Sequence, residues 1–365
     1  MAEKLSLVIP CYNEEKTLRS IVEQVLLLRN RSVDLELVIV DDCSRDNSLE
    51  VARQLGNEYP GIKVVHHEKN RGKGAALRTG FLEATGDYVG IQDADMEYDP
   101  ADYLTLLRVI REENADVVYG SRYLQKSSGR RVLYFWHSAM NQFLTFCSNL
   151  FTDLTVTDME TCYKLFRREV IQKIAGKLQE NRFGFEPEVT AYVAESGCRV
   201  WECAIHYHPR SYDEGKKIGW KDGLRALYCI LHYGACNAPL PMQLILYFVI
   251  GGIAALADLT FFQIATAAGM PVNAAVPAAF AGAAILNYFL CILILFRHKA
   301  RWGTAGEIAA YIFTVLLMGL VDFSITKGLI ACGWHVMAGK AFATLCGFIG
   351  NFFLRRNFVF QLKKK

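Results

Sequence analysis

Several things are missing from this 365-residue sequence, and each absence closes a class of function. Its eleven cysteines include no CxxC pair, and the charges nearly cancel, at a formal +3. Without CxxC pairs, zinc ribbons and thioredoxin-type dithiols fall away. Cys198, Cys203, His206 and His208 lie close together, but their spacing matches no zinc finger, so a strand over residues 199–206 is expected there instead. A net charge of +3 leaves no surplus for a polyanion, and nucleic acid is not an expected partner. No GxxxxGK(S/T) loop is present, which removes the P-loop nucleotidases. No charged leader or cleavage site precedes the first apolar segment, which starts at Leu5. The first half is therefore expected in the cytosol, where a disulfide framework is not expected. Charge itself becomes scarce only beyond Pro239, where long apolar runs begin.

Before that point the pattern is that of a soluble α/β domain. Apolar strands are expected at residues 5–9 (ended by Pro10), 35–40, 62–66, 88–92 and 117–119. Helices are expected between them, at 14–28, 44–55 and 74–84. Such alternation predicts a mostly parallel sheet covered on both faces, with ligands at the carboxyl ends of the strands. The polar clusters fall at those ends: Tyr12-Asn13-Glu14, Asp41-Asp42, residues 69–73, residues 93–97 and Gly120-Ser121-Arg122.

The most informative cluster is Asp93-Ala94-Asp95-Met96-Glu97. On an extended segment alternate side chains point the same way, so three carboxylates are expected to converge. Carboxylates that close repel one another, and a divalent cation relieves them. All-oxygen ligands select Mg²⁺ or Mn²⁺, with diphosphate oxygens completing the shell. Asn70-Arg71-Gly72-Lys73-Gly74 opens a helix with two glycines and two cations. It suits a phosphate at a helix start, and equally a basic surface turn. Arg210, Lys216 and Lys217 form a basic segment before the apolar half, suited to anionic lipid and to substrate phosphates alike.

Taken in order, VIPCYNE (8–14), VDDCSRDNS (40–48), NRGKGAAL (70–77), QDADMEYDP (92–100) and GSRY (120–123) resemble the family 2 glycosyltransferases of GT-A fold. The resemblance covers residues 5 to about 235. Within that family the chain is similar to dolichyl-phosphate mannose synthases and bacterial bactoprenol glucosyltransferases. TDMETCYKLFRRE (157–169), FGFEPEVTA (183–191) and YHPRSYDEGKKIGWKDG (207–223) lean to the glucosyltransferase branch. The resemblance implies that Pro10, Tyr12, Glu14, Val40 and Asp42 hold the nucleoside. It places Asp93 and Ala94 by the sugar and diphosphate, Asp95 and Glu97 on the metal, and Lys73, Arg210 and Lys216 on donor phosphates. It turns Arg122 toward the acceptor phosphate, with Arg131, His137 and Ser138 in the segment that holds it. Asp93, Asp95 and Arg122 are the expected catalytic set. The donor is expected to be a UDP-hexose, glucose first, and the acceptor a polyprenyl phosphate, with GDP-mannose as the alternative donor. A processive polysaccharide synthase is disfavoured because no QxxRW motif occurs. A lipid-linked sugar flippase is the reading from another class.

The apolar half contains a repeat. Shifting residues 247–296 by 64 places superimposes Tyr247 on Tyr311, Asp258 on Asp322, Gly269 on Gly333, Asn287 on Asn351 and Phe296 on Phe360, with identity at 13 of 50 positions. Two copies of a helical hairpin follow, with spans near 243–265, 272–296, 308–330 and 336–358. The arrangement resembles the GtrA-like four-helix domains. Arg297, His298, Lys299 and Arg301 follow the second span, and Arg355, Arg356 and Lys363 to Lys365 follow the fourth. The positive-inside rule then puts both termini on the cytoplasmic side of the inner membrane. Asp258 and Asp322 are expected to pair with Lys327 or asparagines as packing contacts. Expected boundaries are 1–217 for the catalytic domain, 218–239 for an amphipathic connector along the bilayer, and 240–365 for the membrane domain. A homo-oligomer is left open.

Overall fold

The computed structural model describes residues 3–31, 33–124, 134–208, 220–296 and 303–360. It forms two compact units, residues 1–234 and 235–365.

The first unit is built on a seven-stranded sheet. Its strands are β1 (Lys4–Cys11), β2 (Asp34–Asp41), β3 (Ile62–His66), β4 (Tyr88–Ile91), β5 (Val117–Ser121), β6 (Lys164–Arg167) and β7 (Val200–Ala204). The order is β3-β2-β1-β4-β6-β5-β7. Every pairing is parallel except those of β6, which runs antiparallel to both β4 and β5. Two reversals cancel, so β5 points the same way as β4, and the ends of β1, β2, β4 and β5 share one edge.

β1 runs through Pro10 instead of stopping before it. Its pairing with β4 ends at Val8, so Pro10 has a strand neighbour only on the β2 side, opposite Val40. The missing N–H therefore leaves no gap in the ladder. Helices α1 (Leu18–Leu26), α2 (Ser48–Glu58), α3 (Lys73–Glu83), α4 (Asp102–Glu112), α5 (Phe135–Thr152), α6 (Arg168–Ala175), α7 (Phe185–Glu195) and α8 (Trp220–Gly234) complete this unit. α1 and α2 start four residues later than the periodicity suggests. The residues before them form loops bonded to each other: Glu14 N–H donates to Ser48 Oγ (2.8 Å), and Arg45 N–H to Asn13 Oδ1 (2.8 Å). α8 packs on α5 and α7.

The second unit bears out the repeat. α9 (Leu240–Ala267) and α11 (Thr304–Ala331) coincide under the 64-residue shift, as do α10 (Val272–Leu290) and α12 (Val336–Leu354). Both hairpin turns carry a glycine at positive φ, Gly269 at 83° and Gly333 at 84°. α10 and α12 each run on into a π-helical segment, Cys291–Phe296 and Arg355–Val359. Phe296 and Phe360, equivalent in the repeat, stack on each other with centroids 4.4 Å apart. Among the described residues three helices are long and apolar enough to cross a membrane: Leu240–Ala267, Val272–Phe296 and Ala305–Ala331. α12 completes the second hairpin.

One expected contact differs. Lys327 lies over the Phe323 ring and forms no ion pair among the described residues, while Asp322 accepts from Thr344 Oγ1 at 3.3 Å. Residues five apart on a helix sit on different faces, so Lys327 does not meet Asp322.

Candidate active site

The shared carboxyl edge of β1, β2, β4 and β5 gathers the candidate residues. Asp42, at the end of β2, is buried and fully engaged. Its carboxylate accepts from the backbone N–H groups of Arg71 (2.9 Å) and Gly72 (2.6 Å) and meets His67 Nδ1 at 2.7 Å. It thereby shapes the basic turn before α3. Gly72 sits at φ 95°, and a Cβ there would lie 2.3 Å from the Asn181 carbonyl oxygen. Only glycine lets the turn lie against residues 180–182.

This turn delivers Lys73 to the centre of the site. Its Nζ lies 2.9 Å from Asp93 Oδ1, 2.8 Å from Cys162 Sγ and 3.7 Å from Glu186 Oε1. Burial opposes the charge, but Asp93, then Cys162 and Glu186, hold the lysine protonated well above its ordinary range.

The segment after β4 is not extended. It turns at Ala94-Asp95, and Met96 adopts φ 63°. The three carboxylates therefore do not converge as alternation predicts. Asp93 turns to Lys73, while Asp95 Oδ1 accepts from Glu97 N–H at 3.2 Å. Glu97 Oε2 accepts from the Tyr207 hydroxyl at 3.0 Å, and its carbonyl from His208 N–H at 2.8 Å. Among the described residues, no three His, Cys, Asp or Glu side chains are gathered as a metal-ligand set. The oxygens of Asp95 and Glu97 on one short turn still suit a hard divalent cation whose remaining ligands come from a diphosphate.

Arg122 follows β5 and is buried. Asp158 accepts its backbone N–H (3.0 Å), its Nε (2.7 Å) and its Nη2 (2.8 Å). Burial works against the guanidinium, and Asp158 foremost keeps its pKa well above the usual value. Arg122 also lies 5.1 Å over the Tyr207 ring. Tyr207 packs on Tyr98 (5.2 Å), and Tyr98 stacks on Tyr163 (4.7 Å). This aromatic floor joins the acidic turn to Arg122.

Other expected residues are placed as follows. Val40 is buried in the sheet beside Pro10. Tyr12 and Glu14 occupy the loop after β1, and His137 and Ser138 are half-buried in the first turn of α5. Arg131, Arg210 and Lys216 lie outside the described residues. His206, from the cysteine–histidine group, bonds instead to Asp102, Nδ1 to Oδ1 at 2.9 Å, while Cys203 joins the core.

Several residues of the site carried no earlier assignment, among them Asp158, which holds Arg122. Cys162 and Glu186 surround Lys73. Glu160, two residues from Asp158, keeps its Oε1 enclosed without a partner, and burial, with Glu186 nearby, pushes its carboxyl up to about 8. For Glu160 and Cys162 the signal in the sequence is the charge density of TDMETCYK, with Lys164 wholly buried on a strand.

α5 is amphipathic in the inverse sense. Thr145, Ser148 and Thr152 face inward, while Phe135, Trp136 (82% exposed), Met140, Phe143 and Phe146 face outward. α8, in the segment expected to be an amphipathic connector, exposes Leu224, Leu227 and Tyr228.

Comparison with known proteins gives two family matches: residues 6–175 to "Glycosyl transferase family 2" and residues 246–362 to "GtrA/DPMS, transmembrane domain". The dolichyl-phosphate beta-glucosyltransferase ALG5A of Trichomonas vaginalis is 30% identical over 218 residues, 56% of this chain and 65% of that protein. The dolichol-phosphate mannosyltransferase of Pyrococcus furiosus is 24% identical over 96% of this chain and 97% of its own length. The dodecaprenyl-phosphate galacturonate synthase of Rhizobium johnstonii is 28% identical, covering 58% and 61%. Among solved structures, glucosyl-3-phosphoglycerate synthase from Mycobacterium tuberculosis overlaps 65% of this chain and 81% of its own at 19% identity and a TM-score of 0.49, too distant to bear on function.

Proposed function

For a membrane protein that joins a family 2 glycosyl transferase domain to a GtrA/DPMS transmembrane domain, we propose transfer of a hexose from a nucleotide-sugar to the phosphate of a polyprenyl phosphate. Glucose from UDP-glucose is the favoured donor. The observation that carries this reading is the Lys73–Asp93 pair beside Asp95 and Glu97, at the carboxyl edge of a mostly parallel sheet.

The chemistry follows from the acceptor. A phosphate monoester has a second pKa of about 6, so it is largely dianionic at neutral pH and needs no general base. One of its oxygens forms a bond to C1 of the sugar as the C1–oxygen bond to the diphosphate breaks, and the electron pair leaves with the nucleoside diphosphate. Attack from the face opposite the leaving group inverts C1, giving a β-linked product from an α-linked donor. The protein's task is to bring two anions together. Asp95 and Glu97 would hold Mg²⁺ or Mn²⁺, which supplies Lewis-acid charge at the diphosphate. Lys73 is poised to exchange Asp93 for donor oxygens. Arg122, fixed by Asp158, would present a rigid cation to the acceptor phosphate, and Arg131, His137 and Ser138 remain further candidates for holding it.

The outward aromatics of α5 and the apolar face of α8 suit a lipid surface, where the acceptor phosphate lies. The basic residues after the second and fourth spans support a cytoplasmic catalytic unit and cytoplasmic termini.

The test is to supply radiolabelled nucleotide-sugars one at a time with a polyprenyl phosphate and to extract the lipid. Label from UDP-glucose is expected in the lipid phase. Transfer from GDP-mannose alone would change the sugar and keep the reaction. No lipid product from any donor would overturn the proposal and favour the flippase reading.

A further inference from the structure

Arg355 is a buried cation in an apolar unit, 5% exposed, and it forms no ion pair among the described residues. Residues 235–365 hold three carboxylates, Asp258, Glu307 and Asp322, against ten lysines and arginines. The segments outside the described residues in this unit, 297–302 and 361–365, contain no Asp or Glu that could serve it. Glu307, also buried, accepts instead from the Tyr288 hydroxyl at 3.0 Å.

What surrounds Arg355 is a preformed cradle. Its Nη1 donates to Asn287 Oδ1 at 2.7 Å, and the Tyr311 hydroxyl donates to the same oxygen at 3.1 Å. The guanidinium lies 4.3 Å from the Tyr311 ring centroid and 5.6 Å from that of Tyr247. Among the described residues its Nε has no partner, and neither has Nε of the adjacent Arg356. Tyr247 and Tyr311 are equivalent in the repeat, whereas Arg355 matches Cys291. A symmetric pair of rings thus flanks a single, asymmetric charge, placed where α12 passes into a π-helical segment. Such segments are frequent at functional sites. Aromatic faces temper the charge without neutralising it, and a cation in lipid without a counter-ion is costly.

We propose that Arg355 anchors a binding site for the phosphate of a lipid, formed wholly by residues of the membrane unit. The ligand class is a lipid-borne phosphate, either the monoester of a polyprenyl phosphate or the diester of a bulk anionic phospholipid. Arg355 and Arg356 present unpaired N–H donors to it, while Asn287 and Tyr311 orient the Arg355 plane. The proposal does not rest on the transferase reading, because binding is measured without donor.

The test uses the full-length protein in nanodiscs with a polyprenyl phosphate that carries a photoreactive group beside its phosphate. Cross-linked peptides containing Asn287, Tyr311 or Arg355 are expected, with none from the matching polyprenol. Arg355→Met should reduce that cross-linking by about tenfold or more, the scale of a lost charge-assisted contact. Tyr311→Phe keeps the ring and drops only the hydroxyl, and a smaller, few-fold loss is expected of it, so the proposal remains testable should Arg355→Met fail to fold. Competition by phosphatidylglycerol would identify the bulk diester as occupant, and resistance to it the polyprenyl monoester. Displacement by inorganic phosphate alone, cross-links confined to residues 1–234, or undiminished labelling in both variants would overturn it.

Discussion

Asp158→Asn isolates the buried ion pair that holds Arg122. The Asp158 side chain is fully enclosed, and that of Arg122 is 7% exposed. The carboxylate accepts three hydrogen bonds from Arg122, one of them from the backbone. An asparagine there loses the charge and points an N–H₂ group at one of the guanidinium N–H donors. Breaking a buried pair from one side costs about 3–5 kcal/mol. For a unit of this size, each kcal/mol lowers the melting temperature by roughly 2–4 °C, so a fall of roughly 6–20 °C is expected. The assay is thermal unfolding of the full chain in detergent, alongside Arg122→Met and the double variant Asp158→Asn/Arg122→Met. The double variant should be more stable than the sum of the single losses, because it leaves no orphan charge. A fall of less than about 2 °C for Asp158→Asn, against this estimate, or strict additivity in the cycle, would show that the pair does not carry the local structure.

Arg122→Lys keeps a cation but loses the two-pronged contact with Asp158. It should raise KM for polyprenyl phosphate more than KM for the donor, and a change in donor KM alone would move Arg122 to the donor side. Asp95→Ala should lower turnover by about 100-fold or more, the scale of one lost electrostatic contact in a transition state, with the melting temperature kept. Full activity in excess chelator would remove the metal from the scheme. Glu160 has its carboxyl raised from 4.5 to about 8 by burial. Between those pH values the unfolded chain has released the proton and the folded chain retains it, so this group's contribution to stability falls as pH rises. At 1.36 kcal/mol per pH unit the ceiling is about 5 kcal/mol, reduced by whatever solvent reaches the carboxyl. Glu160→Gln should therefore gain on the wild type in urea melts from pH 5 to pH 8.5, and an equal difference at both pH values would refute the burial.

Much of the fold was legible because its signals are local or periodic. Alternating apolar and polar stretches gave the strands and helices, and the 64-residue period gave the membrane unit. The candidate site was legible only as strand ends. Lys73, Cys162 and Glu186 meet from positions about a hundred residues apart in the sequence, and no local pattern reports such a meeting. The acidic cluster was read as extended, yet left-handed Met96 turns it and Lys73 draws Asp93 away. A period-2 argument fails wherever the backbone leaves the strand. The α5 face was hidden for another reason. The helix exposes several large apolar residues while burying two threonines and a serine beside Leu144 and Phe151, so polarity along it does not report which face is inward.

The cations of the candidate site and Arg355 differ in their partners, and under the proposed function the difference matters. Lys73 has Asp93 and Glu186, and Arg122 has Asp158. Such cations are preorganised before substrate arrives, and an incoming phosphate competes with a carboxylate already in place. On the proposed function, binding there would be an exchange of partners, which would keep affinity moderate and permit release of two anionic products. Among the described residues Arg355 has no carboxylate to exchange, only an amide oxygen, the Cys291 sulfur and two rings. An anion reaching it neutralises a charge that nothing else neutralises, so occupancy there would be retained where the transferase site turns over. A lipid phosphate held long and one held briefly are what an anchor and a catalyst require.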